Sequence, residues 1–224
     1  MKPFRNLAEV RTPDGSRLSL HEHDGEYFMK LNSRQLMSST STTSEILLAD
    51  MACLHLARRP DRRVLIGGLG LGFSLKRVLE VIGKGGVVHV AELLPEVVAW
   101  NRELLAGLNG KFLDDKRVEV LIEDVFAVIR RGAQNPYDAI LLDVDNGPTS
   151  FVQKKNERLY GWGGLKLIMN ALKPGGRVAF WSAEPEPEFP GELKRAGYLT
   201  EEYPAKAHMR AKRFAHMIYV GERP

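Results

Sequence analysis

The chain has 224 residues, 44% hydrophobic and 27% charged, with a net charge of +4, which suits one globular domain with a small appendage. No apolar run approaches the roughly 20 residues of a membrane helix, and Met1-Lys2-Pro3-Phe4-Arg5 lacks the apolar stretch of a secretory leader. The single Cys53 excludes an internal disulfide and fits a reducing compartment, so a cytoplasmic protein without a membrane partner is expected. Cys53 itself reads as a small core residue. The basic residues are scattered, and the densest group (Arg58, Arg59, Arg62, Arg63) ends a helix, where cations suit the dipole. Nucleic acid is therefore not an expected partner.

In chain order, Leu7 to Arg11, Arg17 to His23 and Glu26 to Leu31 read as short strands, with turns at Pro13-Asp14-Gly15 and Asp24-Gly25. They form a small antiparallel β unit, assigned to residues 1–40, ahead of a main domain at 41–224. His21 and His23 alternate on one strand face without a third ligand nearby, so no metal is expected. Ser38 to Ser44 is nearly all Ser and Thr; it reads as a loop with a helix cap, or as a flap over a site. Thr42 and Glu45 have capping-box spacing ahead of a helix carrying Ile46, Leu47, Met51, Leu54 and Leu56.

The stretch Val64-Leu65-Ile66-Gly67-Gly68-Leu69-Gly70-Leu71-Gly72-Phe73 organises the rest. An apolar run suits a buried strand, and Leu75, Val78, Leu79 and Ile82 recur at helical spacing. Strand, glycine loop and helix make the start of a nucleotide-binding βα unit. Gly68, Gly70 and Gly72 permit positive φ and close backbone approach, and the helix N-terminus offers unpaired N–H groups.

Val87 to Glu92 is the next strand, with Glu92 about 20 residues beyond the last loop glycine, where an acid can accept both ribose hydroxyls of a nucleoside. A helix follows from Pro95. Val118 to Ile122 is the third strand; Asp124 after it suits an exocyclic amine of a base, or the N-cap of the following helix. Tyr137 to Asp143 is the fourth strand. Asp145 then either supports Asp143 or forms a turn with Asn146-Gly147. Glu92, Asp124 and Asp143 thus share the carboxyl edge of an open α/β sheet, where ligands bind. Gly161 to Gly164 precedes a helix, Lys173-Pro174-Gly175-Gly176 turns into a strand from Arg177 to Ser182, a short helix spans Pro190 to Ala196, and an antiparallel hairpin closes the chain.

This layout resembles the class I S-adenosylmethionine-dependent methyltransferase fold, a mostly parallel Rossmann-like α/β sheet with a C-terminal antiparallel hairpin. Within it, the chain resembles the spermidine synthase (aminopropyltransferase) family. Val64 to Leu79 aligns without a gap to that family's VLIIGGGDGGxLREVL, and Tyr137 to Asp143 is similar to its YDVIIxD. Leu172 to Gly176 resembles its L-x-x-x-G, and Leu31-Asn32-Ser33-Arg34-Gln35 resembles a shortened LDGxxQ. The resemblance implies that Gln35 and the glycine loop contact the nucleoside, Glu92 holds the ribose, Asp124 the adenine, and Asp143 deprotonates and orients an attacking amine. It implies decarboxylated S-adenosylmethionine as cofactor, a small-molecule amine as acceptor, and a homodimer or larger assembly. Three positions depart from the pattern. The family's loop aspartate is Leu71, its second post-strand acid falls on Asn146 unless Asp145 substitutes, and its DExxYHE gate keeps only Glu45, with Thr42, Thr43 and Ser44 in place of its polar and aromatic contacts. The expected function is aminopropyl transfer to an amine. The alternatives are methyl transfer from S-adenosylmethionine, which Leu71 would not repel, or a non-catalytic nucleoside-binding module.

Overall fold

The computed structural model describes residues 4–57, 59–144 and 157–224, the side chain of residue 157 excepted. Asp145, Asn146 and Gly147 lie outside the described residues, so the expectations placed on them have no structural counterpart.

Four strands come first: β1 (Arg5–Arg11), β2 (Arg17–His23), β3 (Glu26–Leu31) and β4 (Arg34–Ser38). They pair antiparallel in that order as one sheet. The fourth was not expected. Asn32 and Ser33 both adopt positive φ (48° and 72°), the backbone a two-residue hairpin turn needs, and this folds β4 back onto β3.

Helix α1 (Thr43–Cys53) leads to β5 (Arg63–Gly67), α2 (Phe73–Ile82), β6 (Val87–Ala91), α3 (Pro95–Glu103), β7 (Val118–Leu121), α4 (Val125–Gly132) and β8 (Tyr137–Leu142). After these come α5 (Glu157–Tyr160), α6 (Trp162–Asn170), β9 (Leu172–Ser182), α7 (Phe189–Arg195), β10 (Leu199–Ala205) and β11 (His216–Glu222). The second sheet has the order β10-β11-β9-β8-β5-β6-β7. Its β7-β6-β5-β8-β9 block is parallel, and β11 and β10 join antiparallel at one side. This is the sheet that the methyltransferase resemblance implied.

Parallel strands covered on both faces read as continuous apolar runs, and all six residues of β8 are buried. Side chains alternate between two cores. Val64, Ile66 and Ala179 pack with α1, α2 and α3 residues such as Leu48, Val78 and Val98. Leu65, Ile140 and Phe180 pack with Ile129, Ile168 and Leu193 from α4, α6 and α7.

Two expectations are corrected by the fold. Lys173 to Gly176 is no separate turn: it bulges within β9, where the register against β8 slips between Tyr137–Leu172 and Ala139–Arg177. Buried Asp138 holds the bulge, its Oδ2 accepting from Lys173 Nζ and from Arg63 N, each at 2.7 Å. The capping box also fails to form. Thr42 is the N-cap of α1 but makes no side-chain cap bond, and Glu45 turns away to accept from Ser44 Oγ at 2.8 Å. Of the basic group after α1, Arg62 is internal scaffolding, donating to the carbonyls of Leu56, Ala57, Ile82 and Gly85. Arg63 lies over the Tyr137 ring at 4.3 Å. Among the described residues, no helix is long and apolar enough to cross a membrane, and no cluster could hold a metal ion.

Candidate active site

A cleft of about 830 Å3, counted to its open mouth, lies between the two sheets. One wall is the carboxyl edge of the parallel strands, with Gly68, Gly70, Glu92, Asp124 and Asp143. The other wall is apolar and comes from the four-stranded sheet: Leu18, Met29, Leu31, Leu36 and Met37. Such a combination, apolar walls with a few convergent polar groups, is what small-molecule sites are made of.

The glycine loop is shaped by its φ values, with Gly68 at 88°, Gly70 at 52° and Gly72 at 80°. Two of the three also lack room for a side chain. A Cβ on Gly68 would stand 2.6 Å from the backbone oxygen of Asp143, and one on Gly70 would meet Met37 Sδ at 2.8 Å. Two buried asparagines hold the loop from behind. Asn101 Nδ2 donates to Gly70 O at 2.8 Å, and Asn109 Nδ2 to Leu71 O at 2.9 Å. Sequence reasoning missed both, because an asparagine on a helix and another in a turn carry no spacing signal.

Glu92 follows β6 and is 8% exposed. Its Oε2 accepts from Leu69 N and its Oε1 from Leu94 N, both at 2.9 Å. Burial raises its pKa, with these N–H groups opposing the shift. Each oxygen retains a lone pair for a further donor. Asp124 does what an N-cap should, its Oδ1 accepting from Phe126 N at 2.9 Å. Its Oδ2 accepts from Arg158, whose guanidinium lies 4.1 Å over the Phe126 ring. Arg158 was another omission: its partner is 34 residues away in sequence.

Asp143 stands just past β8, its N–H bonded to Gly67 O at 3.1 Å. Burial, and then the negative charge of Glu45, push its carboxyl up to about 7. Burial also raises Glu45, against the hydrogen bond from Ser44. A buried carboxyl raised by its burial and by a neighbouring acid, beside a second buried acid that is also raised, suits the capture of a cation or the uptake of a proton near neutral pH. Glu45, the gate position of the family resemblance, thus acts on Asp143 from α1 through its charge.

The structure does not bring Gln35 to the cleft. A bulge in β4 explains this: Met29 faces Met37 and Lys30 faces Gln35, so Leu36 is the extra residue. Leu36 and Met37 both turn toward the cleft and Gln35 is exposed. Leu71 is 2% exposed and belongs to the core, away from the cleft. Glu123 lines the rim, with Arg131 bonded to both its carboxylate oxygens.

Comparison with known proteins agrees with this geometry. The family described as "Spermine/spermidine synthase domain" matches residues 45–188. The polyamine aminopropyltransferase of Mycobacterium tuberculosis (strain ATCC 25618 / H37Rv) is 32% identical over 126 residues, 55% of this chain and 23% of that protein. The spermidine synthase of Thermotoga maritima superposes with a TM-score of 0.73 at 17% identity, covering 98% of this chain and 73% of that one. Human methyltransferase-like protein 13, solved in complex with SAH, gives a TM-score of 0.62 at 19% identity over 81% of this chain and 82% of its own. The chain spans less than half the length of the curated relatives it matches. With the sheet order, the glycine loop and the matched residues in agreement, the chain belongs to the spermine/spermidine synthase family.

Proposed function

We propose that this chain moves an aminopropyl group from decarboxylated S-adenosylmethionine to a small-molecule amine. The observation that carries the reading is Asp143: a carboxyl group pushed up to about 7 by burial and by the charge of Glu45, at the sheet edge beside the glycine loop. The residues fit a nucleoside. Gly68 and Gly70 line the cleft with backbone at positive φ, Glu92 has lone pairs for the ribose, and Asp124 has them for a base amine. The relatives named polyamine aminopropyltransferase support the same reading.

The bound sulfonium supplies a carbon already activated for displacement, its C–S bond breaking as the C–N bond forms and a neutral thioether leaving. The chain then has two tasks. Glu45 and Asp143 draw in and align the amine, and the Asp143 carboxylate takes the proton that the new ammonium releases. The apolar wall of Leu36 and Met37 excludes water from the site. A cytoplasmic location, suggested by the lone thiol, a homodimer, and the division into units 1–40 and 41–224 belong to the same proposal.

One observation favours methyl transfer as a second reading. Leu71 is in the core and Met37 covers Gly70, so no carboxylate at the loop selects a decarboxylated cofactor tail. Thermal unfolding with methylthioadenosine, decarboxylated S-adenosylmethionine, S-adenosylmethionine and NAD separates the readings. Ligand at 100 times its dissociation constant stabilises by about 2.7 kcal/mol. A shift with the decarboxylated compound alone supports aminopropyl transfer, and the opposite preference supports methyl transfer. No shift with any nucleoside overturns both. A shift with nucleosides but no turnover leaves a binding module.

A further inference from the structure

Polyamines carry several positive charges, and a site for them should be rich in carboxylates. A loop hydrogen-bonded to the first residue of α1 carries the opposite charge. The loop between β10 and β11 holds Lys206, Arg210, Lys212 and Arg213, and no Asp or Glu stands between Glu202 and Glu222. Several cations elsewhere are paired, among them Arg77 with Asp50, Arg117 with Asp115 and Arg177 with Glu222. Among the described residues, no carboxylate makes an ion pair with these four.

The loop is fixed beside the acid pair. Ala215 N bonds Ala205 O at 2.9 Å and closes its base, and Thr43 N donates to Ala207 O at 3.4 Å. Thr43 is the first residue of α1, two before Glu45. Where β11 leaves the loop, the His216 ring lies 4.8 Å from the Trp181 ring. Trp181 comes after Phe180, the β9 partner of Leu142, and Leu142 precedes Asp143. Trp181 Nε1 is buried, and no described residue hydrogen-bonds it. The indole nitrogen can only donate, so it suits an acceptor atom on a ligand.

Carboxylates at one end and unpaired cations with an unused indole donor at the other make a two-ended site. We infer that the acceptor is an amine that also carries an anionic group, carboxylate or phosphate, with its amine at Glu45 and Asp143 and its anion at the β10–β11 loop. The inference deepens the proposed function and rests on it.

The test is calorimetric titration of the intact protein, with and without saturating methylthioadenosine. Ornithine is compared with putrescine, which lacks only the carboxylate, and phosphoethanolamine with ethanolamine. At least one anion-bearing amine should bind ten-fold or more tightly than its parent, and which one identifies the anion. The preference should fall at least ten-fold in Arg210→Gln/Lys212→Gln/Arg213→Gln and weaken with added salt, while methylthioadenosine affinity holds. Tighter binding of putrescine, no binding of any anion-bearing amine, or a preference that survives the triple variant overturns the inference. So does a variant that loses a single-stranded RNA 20-mer while its amine affinities stand, which would make the loop a nucleic-acid contact. Failure of methylthioadenosine to bind would instead strike the underlying function, since the amine titration without nucleoside still reads the preference.

Discussion

Glu92 grips the glycine loop: its Oε2 accepts the backbone N–H of Leu69 at 2.9 Å, while Oε1 takes Leu94 N. The acid that would hold a ribose therefore also fixes the loop beneath it. In Glu92→Gln one of the two N–H groups would face an amide NH2, leaving a buried donor unsatisfied at a cost of about 1–3 kcal/mol. Thermal unfolding should show that loss, and methylthioadenosine titration should show at least ten-fold weaker binding.

Asp143 and Glu45 make stability depend on pH. Asp143 rises from 3.8 to about 7 on folding, so the folded chain holds a proton that the unfolded chain has released between those values. Its contribution is complete below about 4 and lost as pH rises through 7. Glu45 shifts in the same direction. Denaturant unfolding should find the wild type losing stability from pH 5 to pH 8, and Asp143→Asn should lose less. Turnover should rise through pH 7 in the wild type as the carboxylate forms, and collapse in Asp143→Asn.

Leu71 stands where the family has an aspartate, yet restoring the acid should not restore a clamp. The side chain is 2% exposed within the core. Leu71→Asp would bury an unpaired carboxyl, costing several kcal/mol, whereas Leu71→Ala should cost about 2–5 kcal/mol. Urea unfolding checks both. A Leu71→Asp protein as stable as the wild type, with tighter binding of the decarboxylated cofactor, would contradict the placement.

Gly68 and Gly70 should respond differently to alanine. The obstacle at Gly68 is the backbone oxygen of Asp143, which cannot move alone; at Gly70 it is the end of a flexible methionine. Gly68→Ala should therefore abolish nucleoside binding. Gly70→Ala should weaken it, and Met37→Ala should recover part of the loss. Dissociation constants in a double-mutant cycle give the coupling.

The sheet and its acids were legible in the sequence because topology places them. A strand buried on both faces reads as an apolar run, and the residues just past its end land at the carboxyl edge; this located Glu92, Asp124 and Asp143. Gln35 was misplaced because a bulge changes the facing of a strand by one residue and leaves no mark in hydrophobic alternation. Glu45 had two compatible readings, cap and site acid, and only packing of α1 against the sheet separates them. Asn101, Asn109 and Arg158 act on partners distant in sequence, which local spacing cannot reveal.

The cleft has one wall on each sheet, joined through the short connection from Ser38 to Thr43. A nucleoside seated there touches both halves at once and so behaves as mortar. Hydrogen exchange should slow on β3 and β4 as well as at the glycine loop when methylthioadenosine is added, although the acids proposed to bind it all belong to the larger sheet. A chain cut before Ser39 would keep every one of those acids and leave the ligand with one face in water.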